Sequence, residues 1–200
     1  MLLLRDGKQQ LSVVRNQANG VTSLASGSAE IMLARRCAEK DGIPLNDSLV
    51  VNTSMWLALE DLEDAAITQR RQPVLAGNPA VPLFGAGAAG TRAQWLAAAA
   101  MASGSALAQA LPANVHLLTL ERWQPGQVLL RLQHLFAVGE HPTWSQPATV
   151  DLSKLFNAKF LAPINMTETI LSGLAPRSPQ PTFPVITLDP MTIRTFVLRV

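Results

Sequence analysis

The run NVHLLTLERWQPGQVLLRLQHLFAVGE, residues 114 to 140, constrains this chain more than any other segment. Two apolar, β-prone halves flank Gln124, Pro125 and Gly126, an arrangement that predicts an antiparallel hairpin. Side chains alternate between the two faces of a strand, so the second half sorts into two sets. Val128, Leu130, Leu132, His134, Phe136 and Val138 share one face; Leu129, Arg131, Gln133, Leu135 and Ala137 share the other. The first set is predicted buried and the second half covered.

Short β-prone runs recur on both sides of this hairpin. Leu11–Arg15, Ala29–Arg36 and Leu49–Glu60 are predicted strands, and further strands are expected within residues 149–156, 158–165 and 185–200, punctuated by Gly and Pro. Residues 60–72 differ: acids come first and Arg70 and Arg71 last, an order that suits a helix dipole, with Leu62, Ala65, Ala66 and Ile67 as its apolar stripe and Pro73 as its stop. Residues 74–111 are rich in Gly, Ala and Pro and read as an insertion, a mobile connection or a boundary between sheets. Many short strands with so little helix predict a mainly β fold, an antiparallel β-sandwich with one short helix. Its organisation is expected as residues 1–112, a β meander with helix and insertion, and residues 113–200, an antiparallel sheet, the two forming one combined sandwich unit.

Composition narrows the function classes. Of 200 residues, 48% are hydrophobic and 15% charged, enough apolar material for a core. The net charge of +2 is scattered without a basic block, which argues against a nucleic-acid partner. No apolar run reaches the roughly 18 residues of a membrane-spanning helix, and the opening MLLL meets Arg5 and Asp6 too soon for a signal peptide. The single Cys37 cannot form an intrachain disulfide. Asn46, Asn52 and Asn165 each begin an N-glycosylation sequon, with Asn52 set in a strand-like run.

Candidate chemistry is sparse. Glycoside hydrolysis requires a pair of flanking carboxylates, yet Glu39, Asp41 and Asp47 fall in loops, Asp61 and Glu63 on an exposed helix face and Glu140 at a turn, so no catalytic residue is assigned. His134 reads as a core imidazole satisfied by the backbone. His116, on the facing strand, is its possible neighbour, but two His without a Cys or carboxylate partner make no metal site. Trp123 and Trp144 lie near turns and are candidates for a sugar-stacking platform, the basis for an alternative reading as a free-standing carbohydrate-binding module.

The hairpin run, together with the closing LDPMTIRTFVLRV of residues 188–200, resembles the C-terminal region of lysosomal-type α-mannosidases, glycoside hydrolase family 38. The resemblance implies galactose-mutarotase-like or immunoglobulin-like sheets, and a role in hydrolysing terminal α-mannosides in glycan catabolism as part of a complete enzyme. Its implied partner is an N-terminal catalytic barrel of the same enzyme, through which mannose-containing glycans are met. There a zinc ion would be held by a His-x-Asp motif with a further Asp and His; none of His116, His134 and His141 begins such a motif, so no cofactor is expected in this chain. Alone, the 200 residues are expected to be inactive, and the implied location is the lysosome or secretory pathway. Family members carry a paired-arginine motif, which places Arg35 and Arg36 as candidates for the rim of the substrate pocket. Here Ala34 stands where the motif has a polar residue, and strand alternation lets at most one of the two face a pocket.

Overall fold

Every strand pairing in the computed structural model is antiparallel. It describes residues 1–34, 39–44, 50–82, 91–94, 104–179 and 184–200. The chain divides into two compact units, Met1–Ala80 and Val81–Val200, rather than at residue 112.

The first unit begins with a hairpin of β1 (Leu2–Arg5) and β2 (Gln9–Arg15). Its turn is fixed by the Asp6 carboxylate, which accepts from the Lys8 and Gln9 amides at 2.7 Å each. These bonds favour the charged form and hold the Asp6 carboxyl below its ordinary value. The opening leucines are therefore a strand, a role that their short apolar run disguised. Two ribbons follow, β3 (Val21–Thr22) with β4 (Glu30–Ile31), and β5 (Glu39–Lys40) with β6 (Ile43–Pro44). Of the strand expected over Ala29–Arg36, Glu30 and Ile31 are paired among the described residues. β7 (Met55–Asp61) adds to β2, giving the order β1-β2-β7.

Helix α1 (Leu62–Gly77) crosses one face of this sheet. Ala65 and Ala66 are its buried residues, small enough to let the helix backbone approach the strands. The layer beneath is polar: Gln10 and Ser12 are buried, the Gln10 amide donates to Ser12 Oγ at 2.8 Å, and Gln69 reaches across to donate to Gln10 Oε1 at 3.0 Å. Pro73 does not stop the helix. A proline removes one N–H and crowds the carbonyl four residues back, yet the helix runs on, and its last turn is secured by Asn78, whose amide bonds the Val74 and Leu75 carbonyls while its side chain donates to Val74 O at 2.7 Å.

The second unit carries the sandwich. β8 (Val115–Gln124) and β9 (Gln127–His134) form the expected hairpin, and Gly126 takes the positive φ of 70° that the turn demands. β13 (Ile193–Arg199) pairs with the other edge of β9, and β11 (Asn165–Thr169) with β13, so the sheet order is β11-β13-β9-β8. A second layer, β10 (Ala148–Asp151) paired with β12 (Val185–Leu188), covers it. Val128, Leu130, Leu132, Phe196 and Leu198 from the larger sheet meet Ala148, Val150, Ile186 and Leu188 from the smaller one in a single core. A one-turn helix, α2 (Leu152–Leu155), adds two more buried leucines; Asp151 caps it by accepting from the Ser153 amide. The run 149–156, expected as strand, therefore continues from β10 into a one-turn helix.

Register explains which hydrophobics go inside. β8 carries a bulge between Leu117 and Thr119, so Leu117 pairs with Leu132, Thr119 with Arg131 and Leu120 with Leu130. Leu117 and Leu120 both pack on the core, and the extra residue, Leu118, is 41% exposed. β9 ends at His134, and Val138, expected inside, is 83% exposed. The end of the Ala-rich stretch also joins this unit: the Ala108 amide bonds Leu155 O at 2.8 Å, and Leu107 and Leu111 pack against the core.

Candidate functional site

Two polar assemblies interrupt the apolar interior of the sandwich. The first is built on His134, which is fully buried. Its Nδ1 accepts from the Phe136 amide at 3.2 Å, and its Nε2–H donates to the Gln146 carbonyl at 2.9 Å, an assignment that satisfies both ring nitrogens with main chain. Asn114 Nδ2 lies 3.1 Å from His134 Nε2, but its two hydrogens go to the Trp144 and Gln146 carbonyls at 3.2 and 3.1 Å. Phe136 stacks on Trp144 with ring centroids 6.0 Å apart, and His141 edges both rings. His141 Nδ1 in turn accepts from the Thr143 and Trp144 amides. This is a knot that folds the 135–146 segment back on the sheet, and it presents no group to a ligand.

The second assembly sits where β11, β12 and β13 come together. Alternation along β11 directs Met166 and Glu168 toward the core, opposite Leu198 and Phe196. A carboxylate there must be compensated, because burying an unpaired charge costs several kcal/mol. Arg194 supplies the compensation: its Nε donates to Glu168 Oε1 at 2.9 Å and its Nη2 to Oε2 at 2.5 Å, while Nη1 holds the Thr187 carbonyl at 3.0 Å. The guanidinium also lies over the Phe196 ring, 5.5 Å from its centroid. Arg177 adds a third donor, Nη1 to Glu168 Oε1 at 3.2 Å. The side chains of Glu168, Arg194 and Arg177 are 3%, 15% and 59% exposed, so the assembly grades from a buried pair to a solvated arginine. It floors an open hollow of about 560 Å³ whose walls include Ser178, Thr187, Asp189 and Thr192. Both Glu168 oxygens are engaged by guanidinium, so neither is presented as nucleophile or proton donor.

The residues singled out from sequence are scattered. Arg35, Arg36, Cys37 and Asn46 lie outside the described residues. Asn52 is exposed and precedes β7, rather than lying in a strand, and Asn165 is exposed at the start of β11. Trp123 and Trp144 do not share a platform. Trp123 is near the C-terminal end of β8, whereas Trp144 packs by Asn114, which precedes its start, about 30 Å away at the rise of an extended strand. His116 is not a neighbour of His134: it pairs with Gln133, one register position on, and so faces the opposite side of the sheet. Partial burial holds the His116 imidazole below its ordinary value. Among the described residues no group of three or more His, Cys, Asp or Glu is placed to hold a metal, and no helix is long and apolar enough to cross a membrane. The Glu168 assembly was missed, although one signal was present: a lone acid at a core-parity position of a strand implies a buried partner.

The antiparallel sandwich of the second unit defines the class of protein. Residues 114–196 match the family model described as glycosyl hydrolases family 38, C-terminal beta sandwich domain. It is similar along its full length to lysosomal alpha-mannosidase of Bos taurus (38% identical) and of Homo sapiens (36%), and over 99% of its length to a probable alpha-mannosidase of Arabidopsis thaliana (28%). The chain spans about 22% of the length of each of these relatives, and it corresponds to their C-terminal part.

Proposed function

We propose that this chain works as the C-terminal sandwich of an α-mannosidase, buttressing a catalytic barrel that hydrolyses terminal α-mannosides in glycan catabolism. The observation that carries the reading is the end-to-end similarity to enzymes of which the chain is about 22%. The barrel is its partner, the zinc ion is held there, and mannose-containing glycans are met through that barrel. The relatives named lysosomal support a lysosomal or secretory location, in which Asn46, Asn52 and Asn165 carry N-glycans. Exposure of Asn52 and Asn165 is compatible with that modification. Arg35 or Arg36 reaches the substrate pocket rim in the assembled enzyme.

The test has two arms. The purified 200-residue chain is assayed with a chromogenic α-mannoside and zinc, where no turnover is expected; zinc-dependent turnover by the chain alone would refute the reading. The chain is then co-expressed with a family-38 N-terminal portion, where recovery of a soluble, active complex is the expected result. Arg35→Ala and Arg36→Ala in that complex should lower turnover at one position, and equal kinetics at both would remove the rim assignment.

A further inference from the structure

The Glu168 assembly is more than a core filling. A buried ion pair stabilises a fold no better than a well-packed apolar pair of the same volume, yet β11 and β13 both commit a core-parity residue to one. What distinguishes the place is the hollow of about 560 Å³ directly above it, within the roughly 300–1,000 Å³ typical of small-molecule sites.

The chemistry of the walls selects a class of ligand. Two arginines, Arg177 and Arg194, are balanced by two acids, Glu168 and Asp189, so the lining carries no net formal charge to favour an anion or a cation. A ligand with several hydroxyls, each both donor and acceptor, meets complementary groups throughout. The exposed Asp189 carboxylate accepts, the Arg177 guanidinium donates, and the Thr192 hydroxyl, which already donates to Asp189 O at 2.6 Å, retains lone pairs to accept. Ile193, 37% exposed on the same wall, supplies an apolar contact of the kind the C–H face of a sugar ring requires. The walls are pre-set: Arg194 fixes the floor to the Thr187 carbonyl, and the Arg177 amide is tied to Glu168 O at 2.8 Å.

We propose that this hollow binds a neutral polyhydroxylated ligand, a hexose unit of a glycan, between Asp189 and Arg177. The ligand class follows from the walls; the choice of mannose as first probe rests on the functional reading above. Saturation-transfer and chemical-shift titrations of the 200-residue chain with methyl α-mannoside test it directly, without any measurement of hydrolysis. The expected result is saturable binding of order millimolar, as a shallow polar site allows, with shifts centred on Thr187, Thr192 and Ile193. Asp189→Asn and Arg177→Ala should each weaken it about tenfold or more; because Arg177 also donates to Glu168 Oε1, Asp189→Asn is the variant whose thermal melt should stay unchanged. Absence of saturation up to about 100 mM, far above any millimolar constant, would overturn the proposal. So would shifts elsewhere on the sheet, or displacement of the mannoside by inorganic phosphate, which would make the hollow an anion site. Because the readout is binding, it can fail while the α-mannosidase assignment stands, and succeed if that assignment falls.

Discussion

Glu168→Met and Arg194→Met, made singly and together, weigh the ion pair that joins β11 to β13. In Glu168→Met the arginine keeps the Thr187 carbonyl but loses its counter-charge at a site where its side chain is 15% exposed. In Arg194→Met the carboxylate, 3% exposed, retains only Arg177, whose side chain is largely in solvent and whose contribution must be discounted for screening. Removing one partner of a buried pair costs about 3–5 kcal/mol, and Arg194→Met further loses the contact with the Phe196 ring, of order 1 kcal/mol. For a unit of this size such losses lower Tm by roughly 10–20 °C. The double variant Glu168→Met with Arg194→Met removes both charges and should return to within about 1–2 kcal/mol of the parent, since apolar replacements of buried pairs are near neutral. Urea unfolding followed by tryptophan fluorescence and by far-ultraviolet circular dichroism measures all three. A double variant as damaged as the sum of the singles would refute the reasoning, because the two side chains would then not be answering each other.

Four further outcomes follow from the geometry. Leu132→Ala, at a fully buried core position, should cost about 2–5 kcal/mol, whereas Leu118→Ala, at the exposed bulge, should stay within about 0.5 kcal/mol; denaturant midpoints compare them. Burial makes the folded chain bind a proton at His116 less readily than the unfolded chain does. Stability from this residue is therefore full above pH 6.5 and falls as pH drops below it toward the folded value, a slope that His116→Gln should flatten in melts taken across that range. Asp151 has the same sign in a more acidic window: the Ser153 hydroxyl bond lowers its carboxyl from 3.8, so the cap is lost as pH falls through the folded value, and Asp151→Asn should remove that step. Gly173→Ala combines a φ of 79° with a new Cβ only 3.0 Å from Leu129 Cδ1 and 3.5 Å from Trp123, and should cost more than the roughly 1–2 kcal/mol of the backbone term alone. Gly139→Ala, at φ 70° with nothing within 4 Å, measures that term by itself when the two variants are compared by calorimetry.

What could be read from sequence was whatever depends on local period. The β9 alternation gave Val128, Leu130, Leu132 and His134 as one buried face, and all four are buried. His134 is held by main chain, as its apolar setting implied. What escaped depends on register or distant partners. The expected Trp123 and Trp144 platform ignored that a ten-residue strand separates their surroundings. The His116 and His134 pairing failed by a single register step, which nothing in either strand's own composition reveals. Pro73 was read as a stop because local propensity disfavours it, while the Asn78 bonds that carry the helix past it come from residues beyond. Glu168 was unassigned because its partner Arg194 lies 26 residues away and meets it only through the β11–β13 pairing.

The bulge in β8 has a consequence for how the chain tolerates changes in length. Alternation around it runs Leu117 inward, Thr119 outward, Leu120 inward, so excising Leu118 leaves the remaining residues in an unbroken two-residue rhythm against Leu132, Arg131 and Leu130. Removal of Thr119 closes the bulge too, but puts Leu118 opposite Arg131 in place of the hydroxyl that Arg131 bonds, and removal of Leu120 brings Thr119 to the core position opposite Leu130. A second irregularity lies between Arg122 and Gln124, but its extra residue, Trp123, is packed near Gly173 and is not dispensable in the same way. Leu118 is the one residue that β8 has to spare.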